Sequence, residues 1–111
     1  MSVKDLYDDA AGQLLATDQA IEPTRMFGSD GLKVADKTFA MVVKGALVVK
    51  LSAPRVEELI TAGSGQRFDP GHGRVMKEWV SLEPDNLQIV IAYMTEAATF
   101  VAGLQRKKAT K

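Results

Sequence analysis

The sequence contains few side chains that could carry out chemistry, and their number already limits the possible reactions. His72 is the only histidine and there is no cysteine, which excludes multi-histidine metal clusters, thiolate zinc sites and cysteine nucleophiles. His72 lies in the glycine-rich segment 69–73 beside Arg74, where it could act as a lone general base or contact a phosphate. Because the proline and glycines of this segment are typical of a turn, we interpret His72 as a solvated loop residue.

Two further patterns resemble catalytic or binding motifs without completing them. The segment 28–31, Gly-Ser-Asp-Gly, lacks the Gly-Lys-Ser/Thr ending and the following helix of a phosphate-binding loop, so it predicts a turn. Carboxylate pairs such as Asp8-Asp9 and Glu57-Glu58 lie on predicted helix surfaces, where acids are ordinarily solvated. We therefore expect no catalytic residues, no metal and no cofactor, and interpret the protein as a non-enzyme.

A nucleic-acid surface is a second hypothesis. The end of the chain is basic, and three arginines elsewhere could extend a patch; these residues are Arg106, Lys107, Lys108 and Lys111 with Arg25, Arg67 and Arg74. However, fourteen basic residues are balanced by fourteen acidic ones, so the general electrostatic attraction to phosphates is missing. No aromatic residues interleave with the basic tail as they do in single-strand binding surfaces. The sequence therefore disfavours nucleic acid as the partner.

Size and hydropathy indicate one soluble domain. The 111 residues are close to the commonest domain size, and 46% of them are apolar, which is enough for a hydrophobic core. The longest uninterrupted apolar run is too short to span a bilayer. The first residues include Asp5 where a signal peptide would be apolar. We expect a cytoplasmic protein that occupies residues 1–111 as a single domain, without membrane contact.

The hydrophobic periodicity predicts the elements. Ser2 and Asp5 form a capping-box pattern before a helix over 3–17, and Ser52 with Pro54 begins a second helix that ends at Gly63. Alternating residues predict three strands from Leu32 to Leu51, with hairpin turns at 36–37 and 44–45. Two more strands, at 66–69 and 74–81, precede a helix over 84–104, with Ser81 or Glu83 near its start. The prediction is a two-layer α+β domain, a five-stranded antiparallel sheet with helices in the order α-β-β-β-α-β-β-α.

The last helix carries more apolar surface than one sheet can cover. Its apolar arc spans roughly 220°, and the surplus forms a stripe of four residues, Ile89, Tyr93, Phe100 and Leu104. Either the first helix covers this stripe within one chain, or the stripe contacts a second subunit. We expect the chain to be a homodimer if the first helix does not cover the stripe.

An ordered set of short motifs resembles one protein family. The set consists of Met26, Phe27 and Gly28, a strand ending in Lys50, then Phe68, Met76 and Trp79, and a final helix with Ala97-Ala98. From about Thr24 to Val101 this order is similar to the amino-terminal domain of the TfoX/Sxy family. Trp79 could line a binding groove, but a large aromatic residue on a central strand is more typical of a core. We interpret Lys50 as an ordinary surface residue.

The resemblance implies a fold and a range of functions. It implies the secretion-chaperone-like α+β arrangement and, for a short stand-alone domain, no assigned activity. The family is associated with natural competence in some bacteria. Longer members carry a second, helical domain, for which the sequence leaves no room before Lys111, so we do not expect the competence role to transfer directly. We expect a small interaction or regulatory module with an unidentified protein partner. The alternatives are a nucleic-acid-associated regulator of competence type and a small enzyme.

Overall fold

The computed structural model describes residues 2–26, 28–68 and 77–109. These residues form three helices and six strands. In chain order the elements are α1 (Val3–Thr17), β1 (Ile21–Met26), β2 (Ser29–Val34), β3 (Lys37–Val43), β4 (Ala46–Lys50), α2 (Ala53–Thr61), β5 (Gly65–Arg67), β6 (Trp79–Leu82) and α3 (Leu87–Ala109).

The strands form one sheet in the order β1-β2-β3-β4-β6-β5, and every neighbouring pair is antiparallel. The predicted two-layer α+β architecture is therefore confirmed. The four strands before α2 form a meander. After α2 the chain enters at the far edge as β5, and β6 then pairs between β5 and β4. All three helices contribute to the main core on one face of the sheet.

The predicted number of strands was wrong, because β1 was missed. It pairs with β2 along its whole length, from Ile21 opposite Val34 to Met26 opposite Ser29. Its sequence contains Pro23 and no apolar alternation, so nothing local indicates a strand. Pro23 is tolerated because β1 is an edge strand, where a missing amide hydrogen need not interrupt the sheet. The same pairing moves the start of β2 from the predicted Leu32 back to Ser29.

The first two helices begin at their predicted caps. The Asp5 amide donates to Ser2 Oγ at 3.2 Å and the Ser2 amide donates to Asp5 Oδ2 at 3.4 Å, which completes the capping box of α1. In α2, Ser52 caps the first turn by accepting from the Arg55 amide at 3.4 Å. Gly63 follows α2 with φ of +77°, a conformation that favours glycine.

The hairpins follow turn chemistry closely, with one correction. Lys44 and Gly45 form the predicted turn with φ values of +51° and +79°. The preceding turn is at Ala35 and Asp36, not at 36–37, and both residues have positive φ. The β2–β3 register shifts between Leu32 and Lys33. This bulge places Phe39 in the main core, although strict alternation predicts the opposite face, with Met41.

Other element bounds also differ from the prediction. Strand β5 begins one residue earlier than predicted and ends at Arg67, while residues 77 and 78 form a turn before β6 rather than part of a strand. The predicted loop with His72, and the start of the predicted strand at 74, lie outside the described residues. Helix α3 starts later than predicted, because Asn86 caps it: Asn86 Oδ1 accepts from the Ile89 amide at 3.0 Å.

Helix α3 is, among the described residues, the one helix long and apolar enough to cross a membrane, with a mean hydropathy of 1.5 over Leu87–Leu104. Polar residues such as Thr95 interrupt the helix, so it contains no long uninterrupted apolar run even though its mean hydropathy is high. Four residues, Val90, Met94, Ala97 and Val101, are fully buried in the main core. A core helix of a soluble protein has the same composition, so these properties alone do not make α3 a membrane span.

Candidate functional site

Three of the seven family-motif positions lie together on the face of the sheet opposite the three described helices. Phe68 and Trp79 are each 6% exposed and pack with the fully buried Met41 and Val48. We call these four residues the indole cluster. Lys50 lies opposite Trp79 in the β4–β6 register. Antiparallel pairing therefore brings together side chains that are far apart in sequence.

Lys50 is held in place by one aromatic neighbour, Trp79, and one charged neighbour, Glu78. Its Nζ lies 5.6 Å from the centre of the Trp79 ring and 3.2 Å from Glu78 Oε1. The Leu51 amide also donates to the Glu78 carbonyl at 2.9 Å, which fixes the turn before β6 next to the end of β4. The Lys50 side chain is only 23% exposed, so it is less of a free surface residue than the sequence indicates. This contact supports the sheet, and it contains no nucleophile paired with a base.

The indole cluster is packed too tightly to act as an open binding platform. Trp79 is nearly buried, as expected for a core aromatic residue, and the described residues contain no buried side-chain nitrogen or oxygen without a hydrogen-bond partner. Sequence reasoning missed Met41 and Val48 as neighbours of Trp79, and it missed Glu78 as the partner of Lys50. No local signal could have found them, since their contacts depend on the strand order.

The other motif positions lie elsewhere. Gly28 occupies the β1–β2 turn with φ of +73°, and its carbonyl accepts from Arg25 Nη2 at 3.0 Å. The turn predicted for 28–31 is therefore correct only at Gly28, because Ser29, Asp30 and Gly31 already pair with β1 as part of β2. Met26 ends the edge strand β1, opposite Ser29. Phe27 and Met76 lie outside the described residues.

A group of charges connects α1 to the β1–β2 hairpin. Asp30 accepts from Arg25 Nη1 and from Lys4 Nζ, each at 3.3 Å, and Lys4 also binds Asp8 at 2.6 Å. The pKa of Lys4 is raised above its ordinary value, mainly because Lys4 donates a hydrogen bond to Asp8 and also because it pairs with Asp30. The Lys4 ammonium lies 5.7 Å from the centre of the ring of Tyr7. Burial, with smaller effects from Asp30 and Asp8, raises the Tyr7 pKa, so the buried phenol stays neutral.

The arginines considered for a nucleic-acid patch do not come together. Arg25 is on β1 and Arg67 is on β5, at opposite edges of the six-stranded sheet. At about 4.8 Å per strand spacing the two strands are roughly 24 Å apart. Arg25 pairs with Asp30 and Arg67 pairs with Glu57. Arg74 lies outside the described residues.

Two grooves are visible among the described residues. One, of about 300 Å³, lies between α1, β1 and α3, and Asp18 is its one titratable lining residue. The other, of about 380 Å³, lies beside β5 and has Glu83 as its one titratable lining residue. Acid–base catalysis usually needs two converging groups, and neither groove has them. In the described part of the chain, no group of three or more histidine, aspartate or glutamate side chains could hold a metal ion.

The stripe on α3, hereafter the α3 stripe (Ile89, Tyr93, Phe100 and Leu104), is incompletely covered. Ile89 is 39% exposed, whereas the other three residues are half-buried. Tyr93 and Phe100 pack in part against the main core. On the opposite flank of α3, Ala98 and Ala102 line the groove with Leu14 of α1.

An ion pair lies beside the α3 stripe. Glu96 Oε2 accepts from Arg55 Nε at 3.0 Å, and Arg55 also pairs with Glu58. Arg55 thereby connects the first turn of α2 to the middle of α3. These two carboxylates, Glu96 first, raise the pKa of Arg55 further above its ordinary value, so it remains a cation.

The fold and these surfaces define a class: a small α+β domain in which one sheet face holds three helices and the other a compact aromatic cluster. The sequence model of the TfoX N-terminal domain matches residues 13–93, which is most of the chain. The chain therefore belongs to the TfoX N-terminal domain family. The match begins earlier than the predicted Thr24, inside α1, and ends inside α3, before Phe100 and Leu104. No curated protein matches the chain in sequence.

Proposed function

We propose that this protein is a cytoplasmic interaction module that acts through contacts with other protein chains rather than by catalysis, and that it self-associates. The observation that carries the proposal is the α3 stripe. It places four large apolar side chains on one flank of α3, and none of them is fully buried. Apolar surface left in this arrangement favours burial against another chain.

The size of the α3 stripe sets the expected affinity. Fully burying one such side chain contributes about 1.5–3 kcal/mol, and only the part still exposed in the monomer, about 40% or less, remains available. The four residues of each copy would then supply at most about 5–10 kcal/mol in a symmetric pair. Association itself costs about 4 kcal/mol or more, which leaves at most about 6 kcal/mol. We therefore expect a weak, reversible dimer with a Kd of about 40 μM or higher, in the high micromolar to millimolar range.

The described grooves support a non-catalytic role, since each offers a single titratable side chain. Four cations each form an ion pair with a carboxylate of the same chain, and these are Arg25, Lys50, Arg55 and Arg67. They are therefore less available to bind phosphates. A protein partner therefore fits the described surface better than a nucleic acid or a small substrate.

Ile89→Asp tests the proposal at the most exposed position of the α3 stripe. It should lower the molar mass measured by light scattering at high protein concentration, because a charge replaces apolar contact. Gln88→Asp is the matched control, since Gln88 is exposed and points away from the α3 stripe. Phe100→Asp should act like Ile89→Asp, and circular dichroism checks that each variant is folded. A wild-type protein that stays monomeric at high micromolar to millimolar concentration would contradict self-association. Salt-sensitive retention of DNA would favour the regulator alternative.

A further inference from the structure

Building on the proposed self-association, we infer that two copies pair through α3 in an antiparallel arrangement. The two-fold axis passes between Glu96 and Ala97. This names the second copy of the chain as the partner of the α3 stripe and fixes which residues meet.

The spacing of the α3 stripe carries this inference. Ile89 and Leu104 are equally far from the point between Glu96 and Ala97, and so are Tyr93 and Phe100. In an antiparallel helix pair centred there, Ile89 faces Leu104 of the second copy and Tyr93 faces Phe100 of the second copy. The pattern reads the same in both directions, which is the property that a two-fold, self-complementary interface requires. A parallel pair would instead place each residue beside its own equivalent.

The charge at the axis is consistent with the same arrangement. Glu96 lies next to the axis, so the two Glu96 side chains of a dimer would come close together. Each Glu96 already pairs with Arg55 of its own chain, at 3.0 Å to Oε2 and 3.4 Å to Oε1. Glu96 is the only charged residue in Leu87–Leu104. The acid nearest the axis is therefore ion-paired within the monomer, by an arginine that it shares with Glu58, which leaves Arg55 a positioning role at the interface.

Helix geometry permits the outer contacts. Ile89 and Leu104 each lie roughly 11 Å from the axis at about 1.5 Å per residue. With the crossing angle of about 20° common in helix bundles, the two helices stay within side-chain reach over that length. The antiparallel orientation also pairs opposite ends of the two helix dipoles.

Cysteine cross-linking tests the register, since the natural chain has no cysteine to interfere. The full chain carrying both Ile89→Cys and Leu104→Cys is oxidised with copper–phenanthroline and run on a non-reducing gel. We expect a dominant covalent dimer. The two cysteines of one helix are about 22 Å apart and cannot form a disulfide within the chain.

The single variants are the controls. Ile89→Cys alone and Leu104→Cys alone should give only a minor dimer band, because each residue is roughly 22 Å from its own equivalent in the antiparallel pair. Efficient cross-linking of Ile89→Cys alone would indicate a parallel pair and overturn the inference. A double variant that is dimeric by light scattering but does not cross-link would overturn it as well. A wild-type chain that is monomeric by light scattering would instead overturn the proposed self-association itself.

A second measurement addresses the ion pair. Arg55→Gln should raise the dimer Kd severalfold, since it leaves two unpaired Glu96 carboxylates near the axis. Adding Glu96→Gln to that variant should restore the dimer. Arg67→Gln is the control, because it removes an ion pair with Glu57 away from α3. Equal Kd values for Arg55→Gln and Arg67→Gln, or no recovery with Glu96→Gln, would contradict the role given to Arg55.

Discussion

Replacing Gly31 by alanine should destabilise the protein, because this glycine lies on β2 and is packed between the two neighbouring strands. It lies on β2 opposite Thr24 of β1 and Met41 of β3. A Cβ added here would lie 2.7 Å from the Ala40 carbonyl oxygen and 3.2 Å from Met41 Cβ. The carbonyl is part of the β3 backbone and cannot rotate away as a flexible side chain could. The sheet must shift for the methyl group to fit.

The size of the effect follows from two opposing terms. Overpacking of a core costs about 1–3 kcal/mol. Reduced flexibility of the unfolded chain returns about 0.4–1 kcal/mol in a Gly→Ala change. Because the closest contact is with a backbone carbonyl, the upper part of the overpacking range, about 2–3 kcal/mol, applies here. We expect Gly31→Ala to lower the free energy of unfolding by about 1–2.6 kcal/mol, which lowers Tm by about 4–10 °C in a domain of this size.

Gly12→Ala is the matched control for this experiment. Gly12 lies inside α1, and a Cβ there would meet nothing within 4 Å. The same substitution should therefore stabilise the protein by about 0.5–1 kcal/mol through helix propensity. Thermal unfolding of both variants, at one protein concentration, gives the comparison. A Tm for Gly31→Ala equal to or above that of wild type would refute the register of β1, β2 and β3.

Two further predictions concern the indole cluster and the buried phenol. Met41→Ala should lower the free energy of unfolding by about 2–5 kcal/mol, because it leaves a cavity next to Trp79. The fluorescence emission of Trp79, the only tryptophan, should then shift to longer wavelength. Unchanged emission would contradict the described packing. Because the Tyr7 pKa is raised, the Tyr7 phenol keeps its proton in the folded state, whereas in the unfolded state it loses the proton near pH 10. The free energy of unfolding should therefore fall as the pH rises above about 10. Tyr7→Phe should lose less stability than wild type between pH 9 and about 11 in urea unfolding, and an equal loss would contradict burial of the phenol.

Local sequence signals were sufficient where the structure depends on neighbouring residues. Helix α1 has its predicted bounds because Ser2 and Asp5 cap it and its apolar residues recur at helical spacing. The β3–β4 hairpin was predicted because Lys44-Gly45 suits the positive φ values of a tight turn. In both cases the interactions that decide the structure lie within a few residues of each other.

Long-range pairing decides what the sequence could not show. Strand β1 is held by β2 and has no alternating pattern of its own, so its pairing cannot be recognised locally. The insertion of β6 between β4 and β5 brings Lys50, Glu78 and Trp79 together. The family resemblance pointed to Lys50 and Trp79, but the contacts of Lys50 with Glu78 and with the Trp79 ring became visible only with the strand order. The α3 stripe was predicted because helical periodicity is local, whereas its partner is not.

The molar mass of the wild-type chain as a function of concentration tests the proposed self-association most directly. Sedimentation equilibrium from low micromolar to millimolar protein would measure it. We expect the mass to rise reversibly from the chain mass of 12.0 kDa toward twice that value, with a Kd of about 40 μM or higher, in the high micromolar to millimolar range. The Ile89→Asp variant should remain near the mass of one chain over the same range. A wild-type mass that stays at 12.0 kDa at every concentration would contradict an interface formed by the α3 stripe.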